Sequence, residues 1–372
     1  MQWGDGPRPP WENPSNRSVF TFRKHTPHDP LCTAAWFVLR RKRANSGDWM
    51  KVSWLRRSGI ALAGILCLAL ATAASAQVVV TVQGDTAYAT ISLTGSNGVT
   101  YDADVTIVFD TPQHLSPRAL NLTAELINPD DIDPRLAVDQ YGNSNCYSLL
   151  PPPLGTPICP TVDPAFPVMI TVEPVVLPWL FSSGFDNGDV TGGGTFSFVN
   201  TYQFDVHTHD LVYADRSPYR LFKAQIGDNF HDVSTDVMPG SVRVRGRGGE
   251  FSQFVVASDP RSNSGLLAAE SVSLEKILEL DTRILASILS DGLRLDLLDL
   301  LAQVNALLLI DLTGALAALD NLIDLIHLNA GSDIANVWSA DHSVVNDAGG
   351  MDELAQTLKF SMQLQQGAAP NR

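Results

Sequence analysis

Residues 266–328 constrain the fold more than any other stretch. They are rich in leucine, contain no proline and are studded with aspartate. Leu274, Ile277, Leu278, Ile284, Leu285, Ile288 and Leu289 share one helical stripe, and Glu275, Lys276, Glu279, Thr282, Arg283 and Ser287 lie away from it. Asp291-Gly292 marks a break. A second run, Leu297, Leu301, Val304, Leu308, Leu312, Ala315, Leu319, Leu322 and Ile326, recurs every three or four residues, close to a heptad seam. Thr313-Gly314 splits that run with Thr313 as an N-cap, and Asn329-Ala330-Gly331 ends it. Asp296, Asp299, Asp311, Asp320 and Asp324 interrupt the apolar residues, so no charge-free span of the ~20 residues a membrane helix needs is present. A surface-lying membrane helix should be basic on its polar face, and this one is acidic. The stripe must therefore be covered by the helices themselves, by a sheet or by a second copy. If left exposed, it marks a surface for a protein partner or for self-association.

Around this stretch the pattern is β. Ala87, Ala89, Ile91 and Leu93 alternate with polar residues. So do Ala103, Val105, Ile107 and Phe109, and Leu120, Leu122, Ala124 and Leu126. Period-two alternation puts one set on a buried face. Further strands are expected at 168–176, 195–206 and 219–224. A hairpin is expected from 241–245 and 251–256, turning at Gly246-Arg247-Gly248-Gly249. After the helices, Leu358, Phe360, Met362 and Leu364 alternate again and read as a strand, with 337–345 as its hairpin partner.

The chain is thus expected to be α+β. An antiparallel β-sandwich-like domain, immunoglobulin-like in its strand spacing, occupies 77–258. A Leu-rich helical hairpin or bundle is inserted at 266–328. Residues 332–364 return to the sheet as a C-terminal β-hairpin, and 365–372 form a disordered tail.

Residues 50–76 read as an export signal. Lys51, Arg56 and Arg57 precede an apolar core at 60–70, and Ala74-Ser75-Ala76 is a small-x-small cleavage site. Cleavage after Ala76 sends the chain to a periplasmic or extracellular space. Residues 1–49 are then an extension without apolar periodicity, and Met50 is the expected start. Residues 1–76 hold 11 of the 25 Lys+Arg and 4 of the 40 Asp+Glu, so the remainder has 14 basic and 36 acidic residues, a net of −22. So acidic a chain is repelled by nucleic acid, which is excluded as a partner. Cys146 and Cys159 are the two cysteines left after cleavage, and an even count in an exported chain predicts a disulfide between them.

The candidate sites are few. Asp205, His207 and His209 share one face of a strand, and a His-x-His pair suits zinc or copper; the alternative is an exposed polar face. His231 and His342 have no assigned place. Asp130, Asp131 and Asp133, and separately Asp186, Asn187 and Asp189, offer oxygen ligands for calcium but lack the spaced EF-hand pattern and read more simply as solvated turns. Ser273-Leu274-Glu275-Lys276 matches one element of the penicillin-recognising enzymes without the others, as a chance helical match would. The arginines around Gly246 are read as outward residues of a hairpin turn. No catalytic residue, cofactor or cofactor-binding motif is assigned. The expected function is a non-catalytic binding or cell-envelope structural protein, with a secreted hydrolase acting on envelope polymer or carbohydrate as the alternative.

Overall fold

Alternation of small apolar and polar residues builds the first sheet. The computed structural model describes residues 76–148, 155–176, 195–214 and 216–368. Strands β2 (Val80–Gln83), β3 (Thr86–Thr94) and β4 (Thr100–Phe109) form an antiparallel meander. β4 then pairs with β9 (Tyr202–Val212), β9 with β13 (Ser241–Gly248), and β13 with β12 (Ser234–Met238). The second sheet runs β1 (Ala76–Gln77), β5 (Leu122–Leu126), β7 (Val168–Val172), β14 (Gln253–Ser258), β10 (Tyr219–Ala224), β11 (His231–Asp232), with β6 (Thr161–Val162) also on β14. β8 (Ser197–Val199) and β15 (Val337–Ser339) make a separate two-stranded ribbon. All these pairings are antiparallel, and with six α-helices among the described residues the fold is α+β.

The two sheets share one core. Ile91, Val105, Ile107 and Val206 of the first meet Leu122, Ile170, Phe254 and Val256 of the second. Aromatic rings weld its centre: Tyr202 stacks on Phe251 at 4.4 Å and Phe204 on Phe254 at 4.1 Å. The second sheet is buried on its other face too. There Phe222, Ala224, Val255 and Ala257 pack with Ile132, Leu136 and Phe230. Ile132 and Leu136 belong to α2 (Pro129–Leu136), which follows the one-turn α1 (Pro117–Leu120). Cys146 and Cys159 are disulfide-bonded, with their Cα atoms 4.3 Å apart.

The helices are α3 (Leu266–Ala286), α4 (Asp291–Leu307), α5 (Leu312–Asn329) and α6 (Asp347–Ala368). They enclose a second core of Leu280 and Ile284 from α3, Leu297, Leu301 and Val304 from α4, Leu319, Leu322 and Ile326 from α5, and Met351, Leu354, Leu358 and Met362 from α6. α6 also packs against β12 and β13, which ties the helical layer to the first sheet. No helix of the described residues is long and apolar enough to cross a membrane.

Four expectations need correction. The alternation at Leu358, Phe360, Met362 and Leu364 lies in α6, not in a strand, so the chain ends the described region in a helix rather than a β-hairpin. α6 is buried around most of its circumference, which erases the 3.6 period; Thr357 and Ser361 satisfy their hydroxyls on the carbonyls of Glu353 and Thr357. Its last turn includes Gln365, which is buried and so no part of a disordered tail. β13 and β14 do not form a hairpin; they lie in different sheets. Gly246 and Gly248 are strand residues, and a Cβ on Gly248 would stand 2.2 Å from the Tyr202 hydroxyl oxygen. The N-cap of α5 is Asp311, whose carboxylate accepts from the Gly314 amide at 3.0 Å, in place of Thr313. The expected extension and export signal up to residue 75 lie outside the described residues, as does the acidic loop at Asp186, Asn187 and Asp189.

The largest departure is the orientation of α3. Glu275, Lys276 and Glu279, expected in solvent, are buried, while Leu267, Leu274, Leu278 and Leu285 are exposed, as is Ile288 just past the helix end. Only Ile277, Leu280 and Ile284 of its long apolar residues enter the helical core.

Candidate functional site

The inward face of α3 meets two other groups of charges. A 3-10 turn at Pro260–Asn263, capped by the Asp259 side chain, follows β14 and carries Arg261. The Arg261 guanidinium is held by Asp259 at 2.8–3.2 Å and donates to Glu275 Oε2 at 2.5 Å. Lys276 Nζ lies 3.2 Å from Glu275 and 3.3 Å from Glu279. Burial works against the Lys276 ammonium, but Glu279 and Glu275 outweigh it and the group sits above the ordinary lysine range. Burial raises Glu279 to about 8; Lys276 opposes this and Glu275 adds to it.

A second cluster joins the edge of the second sheet to α6. Glu353 is buried and accepts from His231 Nε2 at 2.8 Å, from the Gly249 amide at 3.0 Å and from Lys223 Nζ. Burial alone would raise this carboxylate; Lys223 and His231 reverse the sign and pull it down to about 2. Burial is the largest influence on His231 and lowers its pKa, so the ring is neutral near pH 7. With Nε2–H donating to Glu353, Nδ1 carries a lone pair, and it has no hydrogen-bond partner among the described residues. His231, Lys223 and Glu353 line a niche of about 40 Å³ together with Tyr141, Glu250 and Arg283. One residue earlier on α6, Asp352 is held by Arg247 at 2.7 Å and by His327 at 2.9 Å, beside a cavity of about 300 Å³ that Asp110, Asn200 and Asn336 also line.

The histidine pair lies elsewhere, on the outer face of the first sheet. β9 puts His207 and His209 on one side, two residues apart, with ring centres 5.0 Å from each other. Their carboxylate partner is Asp104 of β4, which is paired directly with His207 in the ladder. Asp104 Oδ2 lies 3.0 Å from His209 Nε2 and 4.0 Å from His207 Nδ1. Asp205, the expected third member, is taken by other residues: Arg245 approaches it at 3.0 Å and Arg243 at 3.6 Å. Strand spacing alone favours Asp205 over Asp104, because only the cross-strand register brings Asp104 in.

The remaining candidates are structural. Asp130 and Asp131 occupy the first turn of α2, and Asp133 accepts from the Val162 amide at 2.8 Å, so they are helix residues and not a chelating loop. Ser273 donates to Gln365 at 2.9 Å while Lys276 is spent on glutamates. His342 packs its ring edge-on to Trp338. Arg245 and Arg247 extend from strand β13 toward Asp205 and Asp352 rather than from a turn.

These features define an α+β protein of two antiparallel sheets with a helical layer fastened by buried ion pairs. Residues 61–366 match a family of unknown function, DUF6689, and the chain belongs to that family. No curated protein matches the chain, and no solved structure does.

Proposed function

We propose that this is an exported, non-catalytic binding or envelope-structural protein that pairs with a second copy of itself along the outer face of α3. The observation that carries the reading is the exposed stripe Leu267, Leu274, Leu278 and Leu285. Its steps of seven, four and seven residues follow the heptad seam of a two-helix contact. Each such side chain gains roughly 1.5–3 kcal/mol when fully covered. A two-fold pairing meets the demand for a matching surface, since the same seam is presented by both partners. The Cys146–Cys159 disulfide suits an oxidising compartment and supports export. The spent ion pairs and the small niche at His231 support a non-catalytic role. Light scattering after size exclusion should give a dimer for the wild type and a monomer for Leu278→Lys/Leu285→Lys, with circular dichroism unchanged. A wild-type monomer at every concentration would sink the pairing. An empty pull-down from envelope extract as well would sink the binding reading.

A second reading, a secreted hydrolase of envelope polymer or carbohydrate, is favoured by one observation. His231 lines the niche, its buried Nδ1 has no hydrogen-bond partner among the described residues, and Glu353 orients its other nitrogen, as for a general base. Wild type should then release soluble fragments from envelope polysaccharide, and His231→Gln should not. No release by the wild type disposes of this reading.

A further inference from the structure

We propose that Asp104, His207 and His209 form a binding site for a divalent transition-metal ion of the zinc or copper class, with one coordination position open. The three ligand atoms lie within 4.8 Å of one another. In a tetrahedral site with ligands at about 2.0–2.1 Å from zinc, ligand atoms stand about 3.3 Å apart. The observed 3.0 and 4.0 Å to Asp104 Oδ2 bracket that spacing. The two imidazoles stand two residues apart on β9, and the carboxylate comes from the paired strand β4. Two imidazoles and one carboxylate suit zinc and copper rather than calcium or magnesium, which want oxygen.

An ordinary histidine–aspartate ion pair would also put a ring near a carboxylate. It does not explain why two imidazole nitrogens converge on one oxygen, nor why the remaining polar atoms are already bonded so as to aim them. Thr90 Oγ1 donates to Asp104 Oδ1 at 2.9 Å, which turns Oδ2 toward the histidines. His207 Nε2 is hydrogen-bonded to Ser241 Oγ, which fixes the ring with Nδ1 on the Asp104 side. Outer partners of this kind fix tautomer and orientation at metal sites. Arg243 pairs with His207 in the ladder, and Asp205 draws its Nε to 3.6 Å. Asp205 thus clears the site of positive charge instead of binding the ion. The side chain of His209 is 43% exposed, so solvent or a small ligand reaches the open position.

Calorimetric titration of the full chain with Zn²⁺, and separately with Cu²⁺, tests this. One ion per chain is expected for at least one of the two. Asp104→Asn, His207→Gln and His209→Gln should each weaken binding by at least about tenfold. His114→Gln, a change at an exposed histidine elsewhere, should leave it unchanged. All five positions are at or near the surface, and circular dichroism of each variant checks that the fold is retained. Ser241→Ala should weaken binding less than loss of a ligand does. The proposal is overturned if neither ion is taken up stoichiometrically, if the three ligand variants bind as the wild type does, or if His114→Gln loses as much as they do.

Discussion

The core between the sheets and the seam beneath α3 are both dry, and they are dry for opposite reasons. Between the sheets, Ile107, Val206, Phe204 and Phe254 exclude water because they are apolar, and each gains on its own. In the seam, Arg261, Lys276, Glu275 and Glu353 are buried because each has an opposite charge within reach, and Glu279, raised by burial, adds its carboxyl beside Lys276. The lesson lies in the cost of error. Truncating an apolar side chain in the core removes what that side chain itself contributes. Removing a charge from the seam leaves its partner buried and unpaired, which costs more than the pair contributes.

That difference sets the expected order of effects. Arg261→Ala strands Asp259 and Glu275 and should destabilise by about 3–5 kcal/mol in urea unfolding. A loss below that of a small core truncation would break the comparison. Acid comes next. Glu353 has its pKa lowered in the fold to about 2, so its stabilisation is fully present above the unfolded value of about 4.3 and is lost as pH falls toward 2. It amounts to something on the order of 3 kcal/mol. His231, also lowered, acts with the same sign from below about pH 6.5. Unfolding measured from pH 7 down to pH 2 should show the wild type losing its advantage over Glu353→Gln across this range; parallel curves would contradict the role given to the seam. Smallest is the core itself, where Ile107→Val should cost about 0.5–1.5 kcal/mol, with little pH dependence.

The same contrast explains what could be read from the residues alone. β3 and β4 were legible because in a strand the next residue in sequence reports the other face. The Cys146–Cys159 bond followed from parity and compartment. The seam was illegible where its partners are remote: Lys223 and Glu353 are 130 positions apart. Asp104 was missed for a like reason, being 105 positions from His209 and brought near only by the register of β4 on β9. α6 misled because a helix buried on most sides keeps no period to detect. α3 misled most. Its amphipathic pattern is real, but the rule that apolar residues point inward assumes that buried charges have no partners, and here they do.

Everything said of the seam and of the outer stripe depends on the orientation of α3, and thiol labelling reads it directly. Ser273→Cys replaces a fully buried side chain on the inward face, and Leu278→Cys replaces one that is 54% exposed on the outward face. Each variant is labelled under native conditions, dilute enough to be monomeric, and the modified peptide is quantified by mass spectrometry. Rapid modification is expected at position 278, with protection at 273 until the chain unfolds. Protection at 278 with rapid labelling at 273 would mean that the charges face solvent and the leucines face in, and the seam would not exist as described.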